Sequence, residues 1–416
     1  TNRNILLRKL RKNNIKTLKT DANSNASVTA LTVRRQFVTT SNGSGQITAT
    51  AASGETFQAA SNTDYIAVVL DNNGRSGCAD GDVINLTATT SSFNISGNNL
   101  TITNSTVFNG SGIKVKLLTT VRRTTAEHKV KTRVPAHIVL ANNVATGTPA
   151  NYGADAKHKE VSLGKGDVYK LHAVLESDSA SEDPKLPQFS VTGISGTFVK
   201  GETIVGATSG TQALLINTTS PLTYLITNSK TFSTGETVTG QTSGATASLS
   251  GSETAGSKDI TNRFTLDTGQ RDNFYDIARL VRKGGATAPT GRIIAICDYF
   301  SHGAGDFFNV DSYSGIDYKE ILTYSATRVD PEVREPTGEY DLRNAIDFRP
   351  KVTDIAKNTA NRNSAQYSAD NLTAQSFNFA SRTFGGATAS EMLIPKDNST
   401  IQYDFEFFLG RVDLLF

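Results

Sequence analysis

The chain has 416 residues, enough for about three or four domains. A net charge of +3 with 19% charged residues gives no field that would select nucleic acid as a partner. Two cysteines exclude a disulfide framework, and the longest apolar runs, YIAVVL and RIIAIC, are strand-sized rather than membrane-spanning.

Residues 1–24 open the predicted elements. The first twenty carry seven Lys or Arg and no acid, with Leu7, Leu10, Ile15 and Leu18 at helical spacing. The pattern predicts a short basic amphipathic helix. Leu7, Arg8, Leu10, Arg11, Ile15 and Leu18 would dock it on a partner protein, and the same stripe also fits packing on its own chain. Missing aromatic anchors argue against a lipid surface.

From 25 to 125, short alternating runs such as LTVRRQF, QITAT, YIAVVL and KVKLLTTV are separated by Asn/Gly/Ser turns. That rhythm predicts an antiparallel β-sandwich of immunoglobulin or fibronectin type. Thr suits half-exposed strands, while Asn and Gly suit the turns between them. The Asx-rich stretch DNNGRSGCADGD (71–82) has calcium-ligand residue types without the EF-hand spacing, so it reads as a turn.

A second β domain is predicted from two pieces, 126–186 and 253–350, with a small tandem-repeat β insertion at 187–252 between them. The insertion says nearly the same thing twice. FVKGETIVGATSG and FSTGETVTGQTSG lie at a constant offset of 34 residues. Neither copy can hold a core alone, so the two should share an apolar centre of Phe198, Phe232, Ile204, Val238, Leu215 and Leu249. The reading is a pseudo-symmetric knob projecting from the second domain. Glu202 and Glu236 occupy equivalent positions in it, and after Gly in a hairpin turn a Glu is expected to be exposed. Residues 351–416 lose periodicity and read as a wrapping segment. The chain opens at Thr1 and stops inside VDLLF, which reads as a stretch of a longer polypeptide.

Chemistry-bearing motifs are sparse. His128, His137, His158, His172 and His302 are widely separated, and no phosphate loop, nucleophile elbow or zinc spacing occurs. The best constellation, Asp298, His302 and Asp306 with Asp311 nearby, could meet around a metal only if the Gly-rich loop folded back, and reads instead as polar residues that satisfy turns. In YDLRNAIDFRP, Asp347 and Arg349 should share a face opposite Phe348, an arrangement that fixes a loop. No catalytic, cofactor or metal residue is assigned.

Four stretches in order, FTLDTGQRDNFYDIARL, GDFFNVDSYSGIDYKEI, YDLRNAIDFRP and YDFEFFLGRVDLLF, carry a resemblance. Together they resemble a domain recurring in large virion structural proteins of contractile-tailed phages, the T-even-like cyanophages in particular. The resemblance spans roughly 129–416. It implies a non-enzymatic baseplate or tail protein, assembled in the host cytoplasm, without cofactor or nucleic-acid ligand. Its implied partners are other tail subunits and further copies of itself. The alternative is a host-receptor or glycan-binding tail-fibre module that touches the host surface.

Overall fold

The computed structural model describes residues 6–10, 14–19, 31–60, 64–123, 126–141, 156–179, 182–325, 339–354, 384–385, 394–396 and 404–409. The protein is mainly β, as the alternating patterns require: among the described residues 52% are in strands and 4% helical, the latter in single 3-10 turns.

Strand Leu31–Thr40 buries every other residue from Leu31 to Arg35, the signature of a sheet with one covered face. It pairs with Lys114–Arg123, which pairs in turn with Tyr65–Asp71 and Glu55–Phe57. A second sheet, Gln46–Thr50, Asn99–Thr103 and Ser92–Ser96, contributes Ile47, Leu100 and Ile102 to the same core as Val33, Tyr65, Val115 and Leu117. Arg35 also points inward, and its guanidinium meets the carboxylate of Glu55, itself 2% exposed. Glu55 further accepts from Arg123 at 2.8 Å. Arg123 Nε lies 2.9 Å from Asp306 of the second unit, so a chain of alternating charges stitches the two units together.

The second unit is built on a four-stranded sheet in the order Lys131–Ala141, Ile293–His302, Val168–Glu176, Lys258–Asp259. The central strand is buried along Ile293–Phe300 apart from Tyr299, because both faces are covered. One face packs on the sheet of Glu160–Gly166, Ile277–Arg282 and Phe264–Asp267 through Val139, Val161, Phe264, Leu280 and Cys297.

The repeats cover the other face. Chain leaves the sheet at Glu176 and returns at Lys258, which are register partners. Between them six antiparallel strands close into a barrel in the order Gln188–Ser195, Leu222–Ile226, Gln212–Asn217, Thr203–Gly206, Thr237–Gly240, Thr246–Thr254. Its core holds Phe198, Phe232, Ile204, Val238, Leu215 and Leu249, and the ring of Phe232 meets Phe189 and Tyr224 edge-on.

The barrel does not project freely. Leu214, Ile216 and Leu225 pack on Ile138, Leu140, Leu175, Ile294 and Ile296 of the sheet. The positions in the second copy that match Leu214 and Ile216 are Ser248 and Ser250, so these two docking residues belong to the first copy, while Leu225 lies in the second copy and matches Val191. Glycines report the same asymmetry. Both Gly201 and its counterpart Gly235 have positive φ, but a Cβ on Gly201 would lie 2.2 Å from Pro135, whereas one on Gly235 meets nothing within 4 Å. Gly235→Ala should cost only backbone strain, about 1–2 kcal/mol. Gly201→Ala should cost more and raise hydrogen exchange along Lys131–Ala141, measured on the two purified variants side by side.

Among the described residues of the 1–24 span, 6–10 and 14–19, the expected helix is not formed. Leu7–Lys9 is a strand paired with Ala345–Asp347, and Ile15–Lys19 is a strand paired with Asp404–Phe407. Asn14 sits at φ 59, a left-handed kink that a short polar side chain tolerates and a helix interior does not. Leu7, Leu10, Ile15 and Leu18 are buried, as the apolar stripe requires, but against their own chain. Arg8 is exposed, and Arg11 lies outside the described residues. Later parts of the wrapping segment add short strands: Phe384–Gly385 on Lys351–Val352, and Ile394–Pro395 on Arg34 and Val33.

Candidate functional site

The densest collection of ionisable groups lies where the second unit meets its C-terminal loops. Lys131 begins the first strand of the four-stranded sheet and stands directly opposite His302 on the central strand. Asp167 precedes Val168 on the far side of that central strand, at φ 58, with its carbonyl accepting from Phe300 N at 3.1 Å. Lys131 Nζ donates to Asp167 Oδ2 at 2.7 Å and to Tyr275 Oη at 3.3 Å. Both side chains of the Lys–Asp pair are 1% exposed.

Each oxygen of Asp167 has another donor. His302 Nε2 lies 2.8 Å from Oδ2, and since a carboxylate only accepts, this nitrogen carries the proton. Gln270 Nε2 donates to Oδ1 at 2.9 Å. Four rings enclose the ammonium: Phe308 at 4.6 Å, Tyr275 at 4.8 Å, Tyr313 at 5.0 Å and Phe300 at 5.6 Å from their centroids.

Tyr275 Oη passes the network on to Asp347 Oδ2 in a short hydrogen bond. Arg349 grips the same carboxylate at 2.8 and 3.0 Å, donates to Tyr275 Oη at 3.2 Å and to the Arg271 carbonyl at 2.9 Å. Phe348 points the other way, into the first sandwich's core against Phe307. The DFRP motif is therefore the corner at which the sandwich and the second unit share residues.

Burial would raise the carboxyl pKa of Asp167 and Asp347, but the cations beside them win: Lys131 and His302 hold Asp167 well below its ordinary value, and Arg349 does the same for Asp347. Burial would lower the ammonium of Lys131, yet Asp167 holds it well above the usual range. His302 is pushed down to about 4, chiefly by burial, and is neutral at neutral pH.

The four residues weighed as a metal constellation, and not assigned as one, are dispersed. Asp298 takes His172 Nε2 at 2.8 Å, Arg133 at 3.0 Å and the amide of Ala136 at 2.8 Å. His302 belongs to Asp167, Asp306 to Arg123 and the amide of Glu127, and Asp311 to Thr17 Oγ1 and the amide of Leu18. Among the described residues, no three His, Cys, Asp or Glu side chains are grouped to hold a metal. In the 71–82 stretch, Asp71, Asp80 and Asp82 accept from the amides of Asn73, Asn72 and Ala79, capping turns.

Glu202 and Glu236 are not exposed, at 4% and 6%. Each crosses to the other repeat. Glu236 accepts from the amides of Thr208 and Ser209 at 3.0 and 2.9 Å and from Ser209 Oγ at 2.8 Å. Glu202 accepts from Thr242, Ser243 and Ser243 Oγ at the same distances. Their own copies supply the amides of Ser233 and Val199, both at 2.6 Å. Gly206 and Gly240 make room: a Cβ on either would lie 2.7 or 2.5 Å from the visiting carboxylate. The signal was in the sequence, since Gly-Glu-Thr and Thr-Ser-Gly are the parts duplicated. That they serve each other across copies was not.

No family model, curated protein or solved structure matches the chain.

Proposed function

We propose that the chain is a structural component of a phage virion, in the baseplate or a tail appendage, where it links other tail subunits. The observation that carries the reading is where the charged groups are used. Arg35–Glu55–Arg123–Asp306 joins the first sandwich to the second unit, and the Lys131–Asp167–Tyr275–Asp347–Arg349 network ties the second unit's sheet to its C-terminal loops. The N-terminal segment pairs with Ala345–Asp347 and with Asp404–Phe407 of the C-terminal one, and Ile394–Pro395 adds a strand to the first sandwich. This is the construction of a part that transmits load between neighbours, which are other tail proteins and copies of the same chain. Quantitative mass spectrometry of purified tailed particles tests it. Peptides of this chain in fixed ratio to other tail proteins are expected, and their absence from intact particles would overturn the reading.

A second reading, a glycan-binding tail-fibre module, is favoured by one groove of about 800 Å³ on the first sandwich. Its hydroxyl-rich wall includes Thr89, Thr90, Ser92 and Thr106, with Phe93 as an aromatic surface. Binding of the purified chain to host cells, lost on Phe93→Ala, would favour it.

A further inference from the structure

We propose that Lys131 and Asp167 become joined by an intramolecular amide bond, made by the folded chain itself without cofactor. The inference rests on the geometry of the buried junction and is independent of the tail-protein reading.

Condensation of an amine with a carboxylic acid needs the two held in contact, away from water, with the carbonyl polarised and a proton carrier at hand. All four conditions are met. The nitrogen and the carboxylate oxygen are 2.7 Å apart, and neither side chain is more than 1% exposed. Four aromatic rings confine the nitrogen. Gln270 donates to Oδ1, where negative charge would gather in the tetrahedral intermediate, and His302 donates to Oδ2, the oxygen that would leave. Tyr275 Oη connects the nitrogen to the carboxylate of Asp347.

The step balances within the pair. The resting pair is ionised, so the reaction begins from a minor state in which one proton has passed from the ammonium to Oδ2 along their hydrogen bond, leaving an amine and a neutral acid. The amine's lone pair forms the C–N bond at Cγ. A second proton leaves the nitrogen through Tyr275 Oη to Asp347 and is returned to Oδ2. The Cγ–Oδ2 bond then breaks and one water departs. Nothing is oxidised or reduced, and Asp347 ends as it began. The product removes two buried charges and staples Lys131–Ala141 to Val168–Glu176 across the strand between them.

Intact-mass spectrometry of the purified full chain, denatured before injection, decides the matter. The expected mass is lower than the sequence mass by one water, with a branched proteolytic peptide containing Lys131 and Asp167. Lys131→Arg, which keeps the charge but cannot make this bond, should show the full sequence mass. A wild-type chain at full mass after prolonged incubation at neutral pH would overturn the proposal and leave an ion pair. So would water loss persisting in Lys131→Arg. Because the wild-type measurement stands alone, misfolding of the variant would not obscure the result.

Discussion

Asp347→Ala should destabilise the second unit by about 3–5 kcal/mol, the expected cost of removing one partner from a buried ion pair. The guanidinium of Arg349, 0% exposed, would lose both of its bonds to the carboxylate and retain only Tyr275 Oη and a backbone carbonyl. Tyr275 would lose its acceptor as well. The damage should spread, since Asp347 exchanges backbone hydrogen bonds with Phe308 and lies in register with Leu7. Urea unfolding should show the loss, and hydrogen exchange should show strand Leu7–Lys9 released. Replacing both Asp347 and Arg349 by apolar residues of similar size should cost less than the single change, because no lone charge is left behind. If the single change proves neutral, the corner is not held by this pair.

Glu236→Ala should open the barrel and leave the first sandwich untouched. The substitution removes the carboxylate that accepts from the amides of Thr208, Ser209 and Ser233, and a hydrogen bond to a charged group is worth about 1.5–3 kcal/mol. Glu202→Ala should match it through Thr242, Ser243 and Val199. The double variant should lose less than the sum, because either change already breaks the same closed barrel. Gly206→Ala should mimic Glu236→Ala by evicting the carboxylate. The latch also has a pH signature. Burial opposes ionisation of both acids, but the converging N–H donors outweigh it and hold each pKa below the ordinary value. A lowered folded-state pKa gives stability that is complete above the unfolded value of about 4.3 and is lost as pH falls through the folded one. Calorimetry should therefore show the barrel weakening in acid below that value, and this acid response flattened in Glu202→Gln/Glu236→Gln.

How far the sequence could be read depended on whether a pattern was local. Alternation in LTVRRQF and YIAVVL, and the unbroken RIIAIC, is imposed by which faces are covered, so strands could be recognised residue by residue. The Asp347–Arg349 pair was legible because residues two apart in extended chain share a face, although the strand itself ends at Asp347. At the N-terminus the apolar positions were right and the conformation was not. Leu7, Leu10, Ile15 and Leu18 suit a helix, but they suit two strands equally once Asn14 takes a left-handed turn, and the partner strands lie more than three hundred residues away. Distance in sequence also hid the buried junction. Lys131, Asp167, Gln270 with Tyr275, His302 and Asp347 come from five separate stretches, none of which points to the others. Glu202 and Glu236 were misjudged for the same reason: each is exposed with respect to its own hairpin and buried by the other.

That reciprocity has a consequence for inheritance. A solitary repeat would carry a carboxylate with most of its donors missing, and a Thr-Ser-Gly turn with nothing to hold. The smallest piece that can be copied from one gene into another and still fold is therefore the pair. A single ancestral copy would have had to meet its twin from a second chain, with the same two carboxylates exchanged between subunits. Within the one chain the copies are free to differ outside the latch, as they do where Leu214 and Ile216 seat the barrel on its host and Ser248 and Ser250 stand at the matching positions.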